Sequence, residues 1–129
     1  MQERGFRDLR VYQAAYAAAM EIYEISKGFP KEERYSLTDQ VRRSSRSIVA
    51  NIAEGYRKRP YPKLFVPKMI EADGEVAETQ VWLDMARDYT YLSDEKHDDL
   101  TERYQQIGKM LGAMIARPER FSQVTSKQP

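Results

Sequence analysis

The sequence predicts an all-α protein, an antiparallel up-down-up-down four-helix bundle. Four segments carry apolar residues at spacings of three and four, the period of an amphipathic helix, and no alternating strand pattern of useful length occurs. The connections between these segments are short, which favours antiparallel neighbours. We predict helices at about 8–27, 36–58, 63–91 and 94–116, so that residues 1–117 form the bundle and 118–129 a flexible C-terminal tail.

The first predicted helix has one apolar face and an alanine-rich stretch, "AAYAAAM", that favours helix formation. The sequence "KGFP" ends it, because Gly28 suits a C-cap and Pro30 cannot continue the hydrogen-bond ladder. The apolar face comprises Leu9, Tyr12, Tyr16, Ala19, Met20 and Tyr23.

The second predicted helix begins after Ser36, the expected N-cap, with Asp39 in a capping-box arrangement. It ends before Pro60, since the residue preceding a proline avoids the α conformation. Its core-facing side comprises Leu37, Val41, Ser44, Ser45, Ile48, Ile52 and Gly55.

The third predicted helix starts near Pro62, which fits a first turn, and Pro67 is tolerated only close to that start or at a kink. Its apolar track comprises Val66, Ile70, Gly74, Ala77, Val81 and Met85, widened by Trp82, Leu83, Ala86 and Tyr89.

The fourth predicted helix has Ser93 as its N-cap, and the two acidic residues that follow suit the positive end of the helix dipole. Gly108 and Gly112 lie one turn apart. We interpret them as positions at which the helix tolerates glycine, in preference to a site of close backbone crossing with another helix. The core-facing side comprises Leu100, Tyr104, Ile107, Leu111, Met114 and Ile115.

The composition narrows the class of protein. The 129 residues include no cysteine, which excludes disulfides and suits a reducing cytosol, and no segment resembles a signal peptide or a membrane span. We therefore expect a cytoplasmic protein. The net charge is +1, but residues 1–63 hold 13 Lys or Arg against 8 Asp or Glu, whereas 64–129 hold 8 against 12. This division indicates a basic face for an acidic partner, charge complementarity between subunits, or an ordinary solvated surface.

The residue sets of common catalytic and metal sites are missing. A carboxylate-bridged metal pair in a bundle needs two Glu-x-x-His motifs, and the single histidine, His97, lies in the charged segment "SDEKHDD", where we expect it to be solvated. The acids Glu71, Asp73, Glu75 and Glu78 spread over more than one helical face, which favours solvation or salt bridges over a divalent ion. No phosphate-binding glycine loop or nucleophile elbow occurs. The sequence therefore predicts no enzymatic activity, no metal and no cofactor.

The second helix has a basic side opposite its core-facing side. At 100° per residue the arginines of this side are interleaved with apolar residues, which a purely solvated side would rarely carry. The helix is therefore predicted to pack in the bundle and also against something else. The arginines are Arg42, Arg43, Arg46 and Arg57, and the apolar residues among them are Val49, Ala50 and Ala53.

Asn51 and Glu54 flank the core-facing side of the same helix. A partly buried amide or carboxylate is costly without partners, so we expect a polar network in which Gln40, the arginines, Glu78 and Thr79 take part. Direct contact of Asn51 and Glu54 with a ligand is the alternative.

A family resemblance covers nearly the whole chain. The segment "LTDQVRRSSRSIVANIAEGYRKR" closely resembles the signature of the four-helix-bundle proteins encoded in intervening sequences of bacterial 23S rRNA genes, which have also been labelled a ribosomal protein family. The segments "FRDLRVYQAA", "KGFPKEERYSLTDQ", "EVAETQVWLDMARDYTYLSDE" and "IGKMLGAMI" are similar to its other helices and turns, and "NIAEG" is the most specific match. The segment "ADGEVAET" and Pro67 depart from the family pattern.

The resemblance implies a bundle that assembles as a ring-like homopentamer and has no established enzymatic activity. A related group, the accessory proteins of diversity-generating retroelements, binds nucleic acid through a basic surface. Arginine suits phosphate because its planar fork forms two parallel hydrogen bonds. Carried over by position, the candidates for nucleic-acid binding are Arg42, Arg43, Arg46, Arg57, Lys58 and Arg59.

Two functions stay open at this level. The first is a non-enzymatic oligomeric protein that binds nucleic acid, RNA in preference to DNA, through the basic surface of the second helix. The second is a protein-interaction scaffold whose arginines pair across subunits with the acidic third and fourth helices, without a nucleic-acid role.

Overall fold

The computed structural model describes residues 4–121 and consists of four α-helices with short 3₁₀ helices beside them. The α-helices are α1 (Arg10–Ser26), α2 (Leu37–Arg57), α3 (Pro62–Asp88) and α4 (Asp94–Ala116). Each helix packs against the next one, and α1 also packs against α4, which is the contact pattern expected of an up-and-down bundle. The prediction of an all-α fold is confirmed. Among residues 4–121, no helix combines the length and apolar character that crossing a membrane requires.

The N-terminal ends of α2 and α4 are capped in different ways. Ser93 accepts a hydrogen bond from the backbone N–H of Lys96 at 3.2 Å, so this predicted N-cap is confirmed. The capping box predicted at Ser36 is wrong, because Ser36 accepts no cap bond and instead donates to Glu33 Oε1 at 2.6 Å. The same carboxylate oxygen accepts from the backbone N–H of Leu37 at 3.2 Å. Glu33 reaches this position because a 3₁₀ helix, Lys31–Glu33, precedes α2.

The core-facing sides predicted for α2 and α4 are confirmed. All seven residues predicted for α2 are buried, and on α4 five of the six are buried while Ile115 is half-buried. Ile48, Ile52, Tyr104 and Ile107 are fully enclosed. Burying large aliphatic and aromatic side chains in this way supplies most of the driving force for packing the bundle.

The apolar faces predicted for α1 and α3 are largely wrong, because these helices have two apolar faces and the predicted one points outward. The small Ala15 and Ala18 of α1 face the core and permit close helix packing, whereas Tyr16 and Met20 are each 51% exposed. Periodicity detects both faces but does not indicate which one meets the bundle. The core residues of α1 are Val11, Ala15, Ala18 and Ile22, and those of α3 include Phe65, Met69, Ala72, Val76, Leu83 and Ala86. The predicted α3 residues Ile70, Gly74, Ala77, Val81, Met85 and Tyr89 are exposed.

Gly55 allows α2 and α3 to approach closely. A Cβ atom at this position would collide with Met69 Cε and would lie 3.1 Å from Lys68 Cβ. The colliding atom is the end of the flexible, fully buried Met69 side chain, so a larger residue at position 55 would force that side chain to move within the core. The glycine of the "NIAEG" segment is therefore a packing requirement of the α2–α3 contact.

The predicted C-terminal tail begins with a packed segment. Pro118–Arg120 form a 3₁₀ helix, and the ring of Phe121 stacks on Phe65 with 6.3 Å between the centroids. The start of the tail predicted at residue 118 is therefore corrected, and residues 122–129 lie outside the described residues.

Candidate nucleic-acid and subunit interfaces

The six basic residues singled out by the sequence fall into two groups on α2. Arg42, Arg43 and Arg46 lie in its N-terminal half, whereas Arg57 is its last residue and Lys58 and Arg59 follow in the turn. At 1.5 Å per residue, Arg46 and Arg57 are about 16 Å apart along the helix. Among residues 4–121, no salt bridge joins any of the six side chains to a carboxylate.

Arg42 of α2 contacts two residues of α1. Its Nε donates to Ser26 Oγ at 2.8 Å, and its guanidinium lies 4.7 Å from the centroid of the Tyr23 ring. The side chain is only partly exposed. A second nitrogen of Arg42 donates to the Tyr23 carbonyl at 3.4 Å. Since its face and two of its donors are already used within the chain, Arg42 has less capacity for an external ligand than the other two arginines of its group.

Arg43 and Arg46 are exposed and line a polar cleft of about 390 Å³ between α2 and α3. Glu75 and Glu78 of α3 lie opposite the two arginines. Burial raises the pKa of Glu75, a hydrogen bond with Glu78 raises it further, and the hydroxyl of Ser47 and the charge of Arg43 act in the opposite direction. This carboxyl group therefore retains a proton to a higher pH than an exposed glutamate does.

Of the residues predicted to form a polar network on α2 and α3, some are joined by hydrogen bonds and one, Glu54, lies apart from them. Asn51 Nδ2 donates to the carbonyl of Ser47 at 3.0 Å and lies 3.2 Å from its hydroxyl, and Ser47 Oγ donates to Glu75 Oε2 at 3.1 Å. Glu54 is exposed and faces Lys68, with 3.4 Å between Oε1 and Nζ.

Three further polar residues extend the connected set. Thr79 Oγ1 is fully buried and lies 2.7 Å from Ser44 Oγ, while Gln40 and Glu78 line the polar cleft. Sequence reasoning missed Ser44, Ser47 and Glu75 as members. A serine in the core-facing row of α2 could have indicated Ser44, whereas Ser47 and Glu75 gave no such signal.

The C-terminal group of basic residues lies beside two aromatic rings. The guanidinium of Arg59 lies 3.9 Å from the centroid of the Tyr56 ring and donates to the Tyr56 carbonyl at 3.0 Å. The Phe6 ring lies between two guanidinium groups, with Arg7 at 4.5 Å and Arg57 at 5.9 Å from its centroid. Stacking of this kind restrains a guanidinium through its face. In Arg59 the Nε atom is buried without a hydrogen-bond partner among the described residues and one terminal nitrogen is bonded to Tyr56, so only part of its donor set can reach a ligand.

An apolar groove of about 650 Å³ lies between α1 and α2. Tyr16 and Met20 form part of its wall, together with the apolar residues that interrupt the basic side of α2. Arg46 borders both this groove and the polar cleft. The residues lining the groove include Phe6, Tyr12, Tyr16, Ala19, Met20, Tyr23, Val49, Ala50 and Ala53.

A second apolar surface, the outer stripe of α3, is formed by Ile70, Gly74, Ala77, Val81 and Met85. Ile70 is 54% exposed and Val81 is 47% exposed. The exposed acids Glu71, Asp73 and Asp84 lie beside this stripe. Both surfaces leave apolar side chains exposed on the described part of the bundle.

The expectation of a solvated His97 is wrong, since this residue is 4% exposed and joins α3 to α4. Its Nδ1 lies 3.0 Å from Asp98 Oδ1, and its Nε2 is paired with a carboxylate of α3. The local sequence gave no signal of the α3 partner, because that residue is 13 positions away. Among residues 4–121, no group of three acidic or histidine side chains is arranged to hold a metal ion.

Comparisons with known proteins agree with this architecture. A family model described as 23S rRNA-intervening sequence protein matches residues 7–113. A crystal structure from Bacteroides thetaiotaomicron VPI-5482, described as a protein with unknown function from the S23 ribosomal protein family, is similar with a TM-score of 0.74 and 26% sequence identity. The match covers 81% of this chain and 97% of that one. No curated protein matches the chain.

Proposed function

Because the chain belongs to the 23S rRNA-intervening sequence protein family, we propose that it is a non-enzymatic, self-assembling bundle that binds nucleic acid, RNA in preference to DNA. The observation that carries this proposal is the absence, among residues 4–121, of any salt bridge to the six basic residues on and after α2. Arg43, Arg46 and Arg57 are exposed, and cations in such positions can neutralise phosphates and release counterions. The resemblance to the retroelement accessory proteins, which bind nucleic acid through a basic surface, also supports a nucleic-acid ligand.

Phosphate contacts of this kind supply affinity without reading base sequence. We therefore expect binding to depend steeply on salt and only weakly on sequence, with each neutralised phosphate adding about −0.7 to −0.9 to the slope of log K against log salt. The chain's near-neutral net charge of +1 makes the local distribution of cations decisive.

The test is a fluorescence-anisotropy titration of the full chain with a labelled RNA and with DNA of the same sequence, each at two salt concentrations. A variant with Arg43→Glu, Arg46→Glu and Arg57→Glu is titrated in parallel, because all three side chains are exposed. We expect the wild type to bind RNA more tightly and the variant to lose most of its affinity. Equal affinity of variant and wild type would show the assignment to be wrong.

A second function, a self-assembling scaffold, is favoured by the two apolar surfaces. We propose that the α1–α2 groove of one copy receives the outer stripe of α3 from a second copy. The two surfaces are chemically complementary, because Arg46 borders the groove and the exposed Asp73 flanks the stripe. Since the surfaces differ, the contact is heterologous and generates a ring if its rotation closes, as in the homopentamer implied by the family resemblance.

Assembly is tested by light scattering of purified variants. Met20→Asp in the groove and Val81→Asp on the stripe each place an unpaired carboxylate in an apolar contact, so we expect either change to lower the mass toward that of one chain. Tyr35→Asp is the matched control, because Tyr35 is exposed and lies on neither surface. A wild type that already has the mass of one chain would contradict the scaffold.

A further inference from the structure

The bundle separates its charge along its long axis. One end is formed by residues 4–10, 57–63 and 117–121, which hold nine Lys or Arg and two Asp or Glu. Contacts of Phe6 with Arg57 and of Phe121 with Phe65 show that these segments lie together. We call this surface the basic end.

The opposite end of the bundle is acidic. Residues 27–39 and 84–99 hold nine Asp or Glu against five Lys or Arg, with the single histidine among them. The hydrogen bond from the Tyr91 hydroxyl to Glu33 Oε2, 2.9 Å long, joins the two segments. Charge is therefore divided between the two ends of the molecule, and each end draws its residues from both halves of the sequence.

The two ends differ in how many of their charged side chains are paired within the chain. At the acidic end, Asp84 and Asp98 are paired with His97, Asp88 with Arg87, and Glu33 accepts three hydrogen bonds. At the basic end, the side chains of Arg4, Arg7, Arg57, Lys58, Arg59 and Lys63 form no salt bridge among residues 4–121. With Asp99 paired to Arg103, five of the nine acidic residues of the acidic end have a partner among the described residues, whereas none of these six cations of the basic end is salt-bridged.

Tyr61 adds a different kind of contact at the basic end. It lies between Arg59 and Lys63 in the turn before α3 and is 63% exposed. Its backbone carbonyl accepts the first bonds of α3, whereas no hydrogen bond or ring contact of its side chain is seen within the described residues. An exposed aromatic ring among cations is the combination that binds an unpaired base together with its flanking phosphates.

We propose that the basic end of the bundle is the site for single-stranded RNA, with Lys58, Arg59 and Lys63 on the phosphates and Tyr61 stacked on a base. This inference rests on the proposed nucleic-acid function. It places the main contact with RNA at the basic end of the bundle, in place of the side of α2. Arg7 and Arg57 are held against Phe6, and Arg59 against Tyr56, so their guanidinium groups lose little freedom when phosphate binds. In a cyclic assembly every basic end lies on the same side of the ring, which makes the site multivalent.

The experiment compares variants of the two ends by anisotropy with a labelled single-stranded RNA and with a blunt RNA duplex. The double variant Lys58→Ala, Lys63→Ala is matched by Lys31→Ala, Lys96→Ala, which removes the same charge from the acidic end. For the single strand, we expect the Lys58→Ala, Lys63→Ala variant to make the slope of log K against log salt about 1.4 less steep, because each lost phosphate contact removes about 0.7. The Lys31→Ala, Lys96→Ala variant should leave this slope unchanged.

Tyr61→Ala is matched by Tyr35→Ala, since Tyr35 is 85% exposed at the opposite end. Loss of one stacked base weakens single-strand binding about 5- to 100-fold, so we expect this loss for Tyr61→Ala and none for Tyr35→Ala. Neither change is expected to alter duplex affinity, because a duplex offers no unpaired base to stack. Equal single-strand affinity of the two tyrosine variants would overturn the base contact.

Three other results would overturn the proposal in distinguishable ways. If the double variants at the two ends weaken binding equally, only net charge matters. If binding is lost with Arg43→Glu and Arg46→Glu but not with Lys58→Ala and Lys63→Ala, the side of α2 is the site and the nucleic-acid function still stands. If the Lys58 and Lys63 variant instead has a lower mass in light scattering, the basic end is a contact between copies. A wild type that binds no RNA at low salt would remove the proposed function itself.

Discussion

His97 Nε2 lies 2.7 Å from Asp84 Oδ1, so the chain's single histidine ties the start of α4 to the last turns of α3. A neutral imidazole has one N–H, and only the doubly protonated ring can donate both to Asp84 and to Asp98. Burial lowers the pKa of His97, but the hydrogen bonds to Asp84 and Asp98 outweigh it, and the net result is a raised pKa. The α3–α4 connection is therefore most stable when this ring is charged.

Stability is expected to fall as the pH rises through the pKa of His97 in the folded protein. A raised pKa means that the charged ring contributes fully below about pH 6.5, the ordinary value, and loses its contribution above the folded value. Thermal unfolding between pH 6 and pH 8.5 measures this, and His97→Gln should flatten the dependence. Because the sequence has one histidine, its C2–H proton gives a single titrating NMR signal. A midpoint at or below 6.5 would contradict the assignment.

Glu75→Gln should stabilise the protein at neutral pH. Burial and the neighbouring Glu78 raise the pKa of Glu75, so its charged form opposes folding above the folded value, whereas below about pH 4 the group is protonated in both states. A glutamine keeps an acceptor for Ser47 and gains a donor toward Glu78. We expect a higher melting temperature at pH 7.5 and no difference from the wild type at pH 4. Destabilisation at pH 7.5 would show that the charge of Glu75 is needed.

Gly55→Leu should destabilise the protein by about 1–3 kcal/mol, because the new side chain overpacks the contact with Met69 and Lys68. Gly112→Ala is the control within α4, where a Cβ atom meets nothing within 4 Å and the helix gains about 0.5–1 kcal/mol. Urea unfolding of both variants gives the two free energies. Similar effects of the two changes would show that the α2–α3 contact is less close than described.

Thr79→Val should cost about 1–2 kcal/mol, because it leaves the buried Ser44 hydroxyl without its partner at 2.7 Å. Ser44→Ala removes the other member of the pair. In a double-mutant cycle by urea unfolding, the two changes together should cost less than the sum of the single changes. Strict additivity would mean that the two hydroxyls do not interact.

Several elements of this protein could be predicted because the relevant signal is local. The heptad-like spacing of Leu100, Tyr104, Ile107 and Leu111 identifies one apolar face, and α4 has no competing face. The row of small and apolar residues on α2 likewise has arginines opposite to it, so its inward side was correctly assigned. In both cases amphipathicity alone fixes which residues are buried.

The faces of α1 and α3 could not be assigned in this way. Tyr16 and Met20 are larger and more apolar than Ala15 and Ala18, yet the alanines face the core, since the distance between neighbouring helices decides how large a buried side chain can be. In each of these helices one apolar face packs in the bundle and side chains of the other stay exposed.

By itself the sequence determined the four helices, their approximate ends, the buried sides of α2 and α4 and the basic residues of α2, because each depends on residues within a few positions of one another. Only the tertiary structure decided that His97 is buried against Asp84 of the preceding helix. It also decided that basic residues from three separate segments meet at one end of the bundle. Such features join residues from different parts of the chain, and their distances are set by how the helices pack.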